Sequence, residues 1–187
     1  MFGEIESFLS LFDRVKKFLK SHANPSSDLS TRLVQLYEAH GVHRNQIPKV
    51  IGQGLTLHDV STDERLLEKL TDEILSSTCQ LFGINRDWLD GVSDEIYPTY
   101  NFYKYPAKFE EFLSSLLNKS GSDCLDGVLL SVDKVDRGTE SVLILQETIG
   151  SINEKPYYRY YLCSGWVLSY WIIKRLYFCM CCNVLKK

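Results

Sequence analysis

The chain has 187 residues, of which 44% are hydrophobic and 24% charged, and its formal net charge is −3. That length holds one ordinary domain or two small ones, and that composition sets aside a disordered chain. Charge is spread unevenly: residues 28–91 carry six Lys/Arg against ten Asp/Glu, residues 92–151 five against ten, and residues 152–187 six against one.

The six cysteines include Cys163, Cys179, Cys181 and Cys182 near the C-terminal end. Met1 to Lys20 is charged throughout and has no small-residue cleavage site, so it does not read as a secretory signal. The expectation is a cytoplasmic protein with free thiols. Cys179 to Cys182 has no second pair of ligands at a zinc spacing, so no metal is expected.

Residues 2–20 predict an amphipathic helix. Phe2, Ile5, Phe8, Leu9, Phe12, Val15, Phe18 and Leu19 recur at spacings of three and four. Such a stripe packs on its own domain or on a copy of itself. A membrane-surface role is disfavoured, because that needs a richer basic face. Ser21 to Ser27 is a linker by composition.

Ser27 or Asp28 caps the next predicted helix, which buries Leu29, Leu33 and Leu36 and ends at Gly41. His40 and His43 could face each other across that glycine. A short helix follows from about His43 to Ile51, with Pro48 expected to distort the turn before it. Gly52-Gln53-Gly54 is a break, and Leu55 to Val60 is an apolar connection or a single helical turn. Helices are predicted over Asp63 to Leu70 and Asp72 to Phe82. Ser61 with Glu64 forms a capping box for the first, Thr71 caps the second, and Gly83 closes it. Arg86 to Leu89 makes a last turn in which Trp88 and Leu89 seal the core.

Tyr97 to Tyr105 is an aromatic linker or irregular edge. Pro106 opens a helix of about a dozen residues, with Phe109, Phe112, Leu113, Leu116 and Leu117 on one face. Three strand-like runs follow, Gly127 to Val132, Ser141 to Ile149 and Tyr157 to Leu168, with Asp136 to Thr139 as the turn between the first two. From Trp166 onward the tail is hydrophobic but interrupted by Lys174-Arg175, which makes it a poor membrane span. It reads either as a buried helix or as a disrupted end.

The stretch Ser30 to Gly91 resembles the lambda-repressor-like helix-turn-helix family. Leu33 to Gly41 matches the first helix, and Asn45-Gln46-Ile47 with Val50-Ile51-Gly52 matches the second. Leu81-Phe82-Gly83-Ile84 and Trp88-Leu89-Asp90-Gly91 match the closing pattern. The resemblance implies a bundle whose third helix reads the major groove. The chain departs from the family at Pro48, where alanine is usual, and at Leu55 to Val60, which is short and half apolar where the reading helix belongs. Asp59, Asp63 and Glu64 would repel phosphate there. The residues the resemblance nominates for DNA contact are Arg44, Gln46 and Lys49, with His43, Thr56 and His58 behind them.

No catalytic constellation appears. The four histidines lie in the first third, Gly52-Gln53-Gly54 lacks the spacing of a phosphate cradle, and Asp123, Asp126, Asp133 and Asp136 lack a calcium-loop register. Cys124 has no basic neighbour to activate it. Tyr157, Tyr158, Tyr160, Tyr161, Trp166, Tyr170 and Trp171 make either a sheet core or the lining of an effector pocket.

The sequence therefore predicts an α+β protein without cofactor or enzymatic activity. A lead helix over 1–22 precedes a helix-turn-helix-like domain over 28–91. A small antiparallel sheet with helices over 92–187 would sense an unidentified small molecule or mediate association. The leading expectation is a bacterial- or phage-type regulator that binds double-stranded DNA as a homodimer. The rival is a protein-interaction or dimerisation module that kept the scaffold and lost the reading face. Scattered positions for Arg32, Arg44, Lys49 and Arg86 would favour the rival; a shared basic patch would favour DNA.

Overall fold

The computed structural model describes residues 29–120, 124–130 and 140–167. The lead helix over 2–20, the turn at 136–139 and the tail beyond 167 lie outside the described residues. The chain divides into two compact units. The first gathers the described residues up to Pro98 together with Thr148–Arg159, and the second holds Thr99–Glu147 and the strand residues from Tyr160. The architecture is α+β, as the sequence predicts.

The first unit is built on α1 (Leu29–Ala39), α2 (Ile47–Ile51), α3 (Asp63–Lys69), α4 (Asp72–Phe82) and α5 (Arg86–Leu89). Helix α1 buries Leu33, Val34, Leu36 and Tyr37, the i, i+3, i+4 face that its sequence encodes. The Val42 amide donates to the Tyr37 carbonyl at 2.8 Å across Gly41 (φ 92°), the bond that closes a helix with a left-handed residue. The chain then enters α2 through a 3-10 turn, Arg44–Gln46. Pro48 sits in the first turn of α2, where its missing N–H has no helical acceptor, so the proline starts the α-helix cleanly. The helix predicted from His43 to Ile51 is therefore split, with a 3-10 turn before the proline and α-helix from Ile47.

The cap of α3 falls one residue later than the sequence suggested. Thr62, not Ser61, accepts from the Arg65 amide, and Ser61 instead donates its hydroxyl to the His58 carbonyl at 2.7 Å. Thr71 caps α4 by accepting from Ile74, and Gly83 closes it in the left-handed region at φ 68°. Ile47, Val60, Leu66, Phe82 and Leu89 join the α1 residues in one core that shields them fully from solvent. Each such aliphatic side chain contributes roughly 1.5–3 kcal/mol of burial.

Strands β1 (Thr99–Asn101), β2 (Leu125–Leu130), β3 (Glu140–Ile152) and β4 (Lys155–Val167), with helix α6 (Pro106–Ser120), complete the chain. The sheet order is β1-β4-β3-β2. β2 runs antiparallel to β3, with Val128 opposite Ile144, while β1 runs parallel to β4, with Tyr100 opposite Cys163. The sheet is therefore mixed rather than purely antiparallel; its parallel member is the short edge strand hidden in the aromatic stretch. β3 and β4 are joined by Asn153 and Glu154, both at positive φ (50° and 66°), as a two-residue hairpin demands.

In the second unit, Leu143 and Leu145 of β3 pack with Phe109 and Leu116 of α6. Alternation sends Ile144 and Gln146 to the other face, and both are also buried, so the middle of β3 is enclosed on both sides. Tyr161, Cys163 and Trp166 of β4 join the α6 side. Cys163 and Trp166 are three positions apart, an odd step that regular pleating would send to opposite faces. Gly165, at φ 80°, breaks the alternation, and a Cβ there would lie 2.8 Å from the Asn101 side-chain oxygen.

Candidate nucleic-acid interface

The six residues nominated for DNA contact all lie in the first unit, from His43, the residue before the 3-10 turn, to the turn before α3. Their fates differ. Gln46 is spent on the local backbone: its side-chain oxygen accepts from the His43 amide at 2.9 Å. This is half of a capping arrangement, in which a residue three positions on satisfies an amide that the helix leaves free.

Arg44 is spent on tertiary structure. Its Nε donates to the Val60 carbonyl, and its Nη1 pairs with the Asp63 carboxylate at 2.6 Å. The other oxygen of Asp63 accepts from the Thr31 hydroxyl at 3.0 Å. Asp63 thus ties α1 and the 3-10 turn to the first position of α3, where a negative charge also suits the helix dipole. This hub was missed in the sequence, where Asp63 reads only as a repulsive charge. The signal that could have found it is an acid directly after the capping Thr62, with an arginine upstream in the same small bundle.

Thr56 is locked to Asp59. The Thr56 amide donates to Asp59 Oδ2 at 2.9 Å, the hydroxyl donates to the same oxygen at 2.6 Å, and the Asp59 amide returns a bond to Thr56 Oγ1 at 3.3 Å. The Thr56 hydroxyl, then its amide, hold the Asp59 carboxyl below its usual range. Leu57, His58 and Lys49 are exposed, as is His43. His40 is fully buried, so the two histidines do not face each other across Gly41.

Between Gly52 and α3 the chain makes turns and no α-helix. The Val60 amide reaches the Thr56 carbonyl at 3.3 Å, which gives one isolated turn with Leu57 at its outer side, 63% exposed. A groove-reading helix needs about two turns to set three or four side chains against base edges. The next element, α3, presents Asp63 and Glu64 at its start. Glu64 accepts from its own amide and from the Thr62 hydroxyl, both of which lower its pKa.

The arginines among the remaining basic residues named above are also engaged within the unit. Arg32 Nε donates to the Leu89 carbonyl at 3.1 Å. Arg86, the first residue of α5, bonds Asp72 at the start of α4 at 2.8 Å and Asp90 just past the end of α5 at 2.9 Å. Three of the four guanidinium or ammonium groups proposed as a patch are thus committed to different acceptors within the unit, and Lys49 is exposed on α2.

Among the described residues no three His, Cys, Asp or Glu side chains gather at a metal-binding distance. None of the described helices is long and apolar enough to cross a membrane. No family model matches the chain, and neither the curated proteins nor the solved structures hold a match to it.

Proposed function

We propose that residues 29–98 are a protein-docking module on a repressor-like scaffold rather than a sequence-reading DNA-binding domain. The observation that carries this reading is the commitment of Arg44, the first-ranked contact residue, to the Val60 carbonyl and Asp63. Two further features support it: a single turn stands where the reading helix belongs, and acidic side chains border that turn. Phosphate contacts dominate the affinity of duplex binders, and an acidic border opposes them. The partner expected first is a second copy of the chain, since the family resembled acts through dimers.

The competing reading, a DNA-binding regulator, draws on the exposed His43, Lys49 and His58. The test is fluorescence anisotropy of the full chain with a labelled random-sequence duplex, titrated with salt. The docking reading expects no saturable binding at low salt. Binding that weakens steeply as salt rises overturns it and returns the contacts to those three side chains.

A further inference from the structure

His40 ends α1 with no exposure to solvent, and two hydrogen bonds fix its form. Nδ1 lies 2.6 Å from the Tyr158 carbonyl oxygen, which can only accept, so Nδ1 carries the proton. Nε2 then offers a lone pair to the Tyr97 hydroxyl at 2.9 Å. The backbone closes the same contact from the other side: the Tyr158 amide donates to the His40 carbonyl at 3.0 Å. Around the ring stand Phe82 of α4, with its centroid 4.2 Å away, Tyr97 from the segment after α5, and Tyr158 and Arg159 of β4. The Arg159 guanidinium donates to the Gln80 carbonyl of α4, holding a positive charge near the imidazole.

We propose that His40 is an acid-released clasp, which holds the hairpin tip Thr148–Arg159 on the end of α1 while neutral and lets it go when protonated. A second proton on Nε2 would point a donor at the Tyr97 hydroxyl and place an imidazolium beside Arg159 in a site closed to solvent. Release would uncover Ile149, Ile152 and Tyr157, which pack against the helical core. This device stands independently of the docking reading.

Burial, then the Arg159 charge, push the His40 pKa down to about 3, against 6.5 when free. The open form therefore binds the extra proton between those values. The closed form keeps its full advantage above pH 6.5 and loses it as pH falls toward 3.

The test is amide hydrogen exchange on the full chain, read at the Tyr158 amide, with rates corrected for intrinsic chemistry. Opening should rise about tenfold from pH 7.5 to pH 5.5, the ratio set by one proton taken up near 6.5. The Leu75 amide in α4 should not share that rise, and His40→Asn, which keeps a donor at the Nδ1 position, should abolish it. A flat Tyr158 profile overturns the clasp, and so does an equal rise at Leu75. Should the variant fail to fold, imidazole nitrogen shifts of the native chain decide: a neutral Nδ1–H form at pH 5.5 supports the clasp, and a native imidazolium overturns it.

Discussion

At the scale of single residues, the first unit is held by polar side chains used inside the protein. Tyr37 is fully buried, and its hydroxyl lies 3.1 Å from Thr78 Oγ1, which also donates to the Ile74 carbonyl at 2.9 Å. Burial raises the Tyr37 pKa well above its usual value, so the phenol stays neutral. The two partners are not equivalent. Tyr37→Phe leaves Thr78 with a second partner and should cost about 0.5–1.5 kcal/mol. Thr78→Val strands a buried hydroxyl and should cost about 1–3 kcal/mol; urea denaturation of both variants checks the order. Arg44→Ala should lower stability by about 1–2 kcal/mol, since a charged hydrogen bond is lost at a partly exposed site. In anisotropy the same variant should leave duplex binding where the unaltered chain has it; a loss of binding specific to Arg44→Ala would count for the DNA reading. The internal bonds of Arg44 to Val60 and Asp63 were not legible in the sequence. A charge on a short helix reads as exposed until the fold places a carbonyl and a carboxylate beside it.

At the scale of elements, end signals carry most of the local structure. Thr71 and Gly83 bracket α4 as their chemistry dictates, and the break at Gly52 to Gly54 stands where composition places it. Gly83→Ala should destabilise by about 1–2 kcal/mol, because an L side chain resists the left-handed conformation. The Arg159 side chain, 3.0 Å from the added carbon, would also have to shift. The opposite sign belongs to the β3–β4 turn. Glu154 sits at φ 66°, in the left-handed region that an L side chain resists. Glu154→Gly should raise stability by about 1 kcal/mol, read as a higher denaturation midpoint at unchanged slope. The long hairpin was only half legible. Its strands show apolar runs, but the turn has Glu154 where glycine usually marks such connections, and β1 is too short to carry a pattern. Thr62 displaced Ser61 as the cap because Ser61 had a competing acceptor in the His58 carbonyl.

At the scale of the whole molecule, the two units keep separate cores, one of helical Leu, Ile and Phe and one of sheet and aromatic residues. Aromatic rings tie the second together, with Phe109 edge-on to Trp166 at 4.9 Å and Tyr100 against Phe112 at 4.9 Å. Polar side chains are buried in it too, among them Glu147, whose carboxylate accepts from the Tyr161 hydroxyl. Cys163 lies in the same core, and burial pushes its thiol up to about 12. It should therefore resist thiol reagents in the native protein and react only when the second unit opens; peptide mapping after timed labelling separates it from the other cysteines. The α+β class, the helices α1, α3, α4 and α6 that carry a period or a cap, and the two long strands were determined by the sequence itself. Apolar periodicity and end chemistry act over a few residues, and the chain alone contains them. The tertiary structure decided the rest: that Arg44 is bound by Val60 and Asp63, that His40 is sealed, that Thr148–Arg159 belongs with helices far away in the chain, and that a parallel edge strand joins β4. Each depends on contacts between residues remote in sequence, whose hydrogen-bonding partners exist only once the chain has folded.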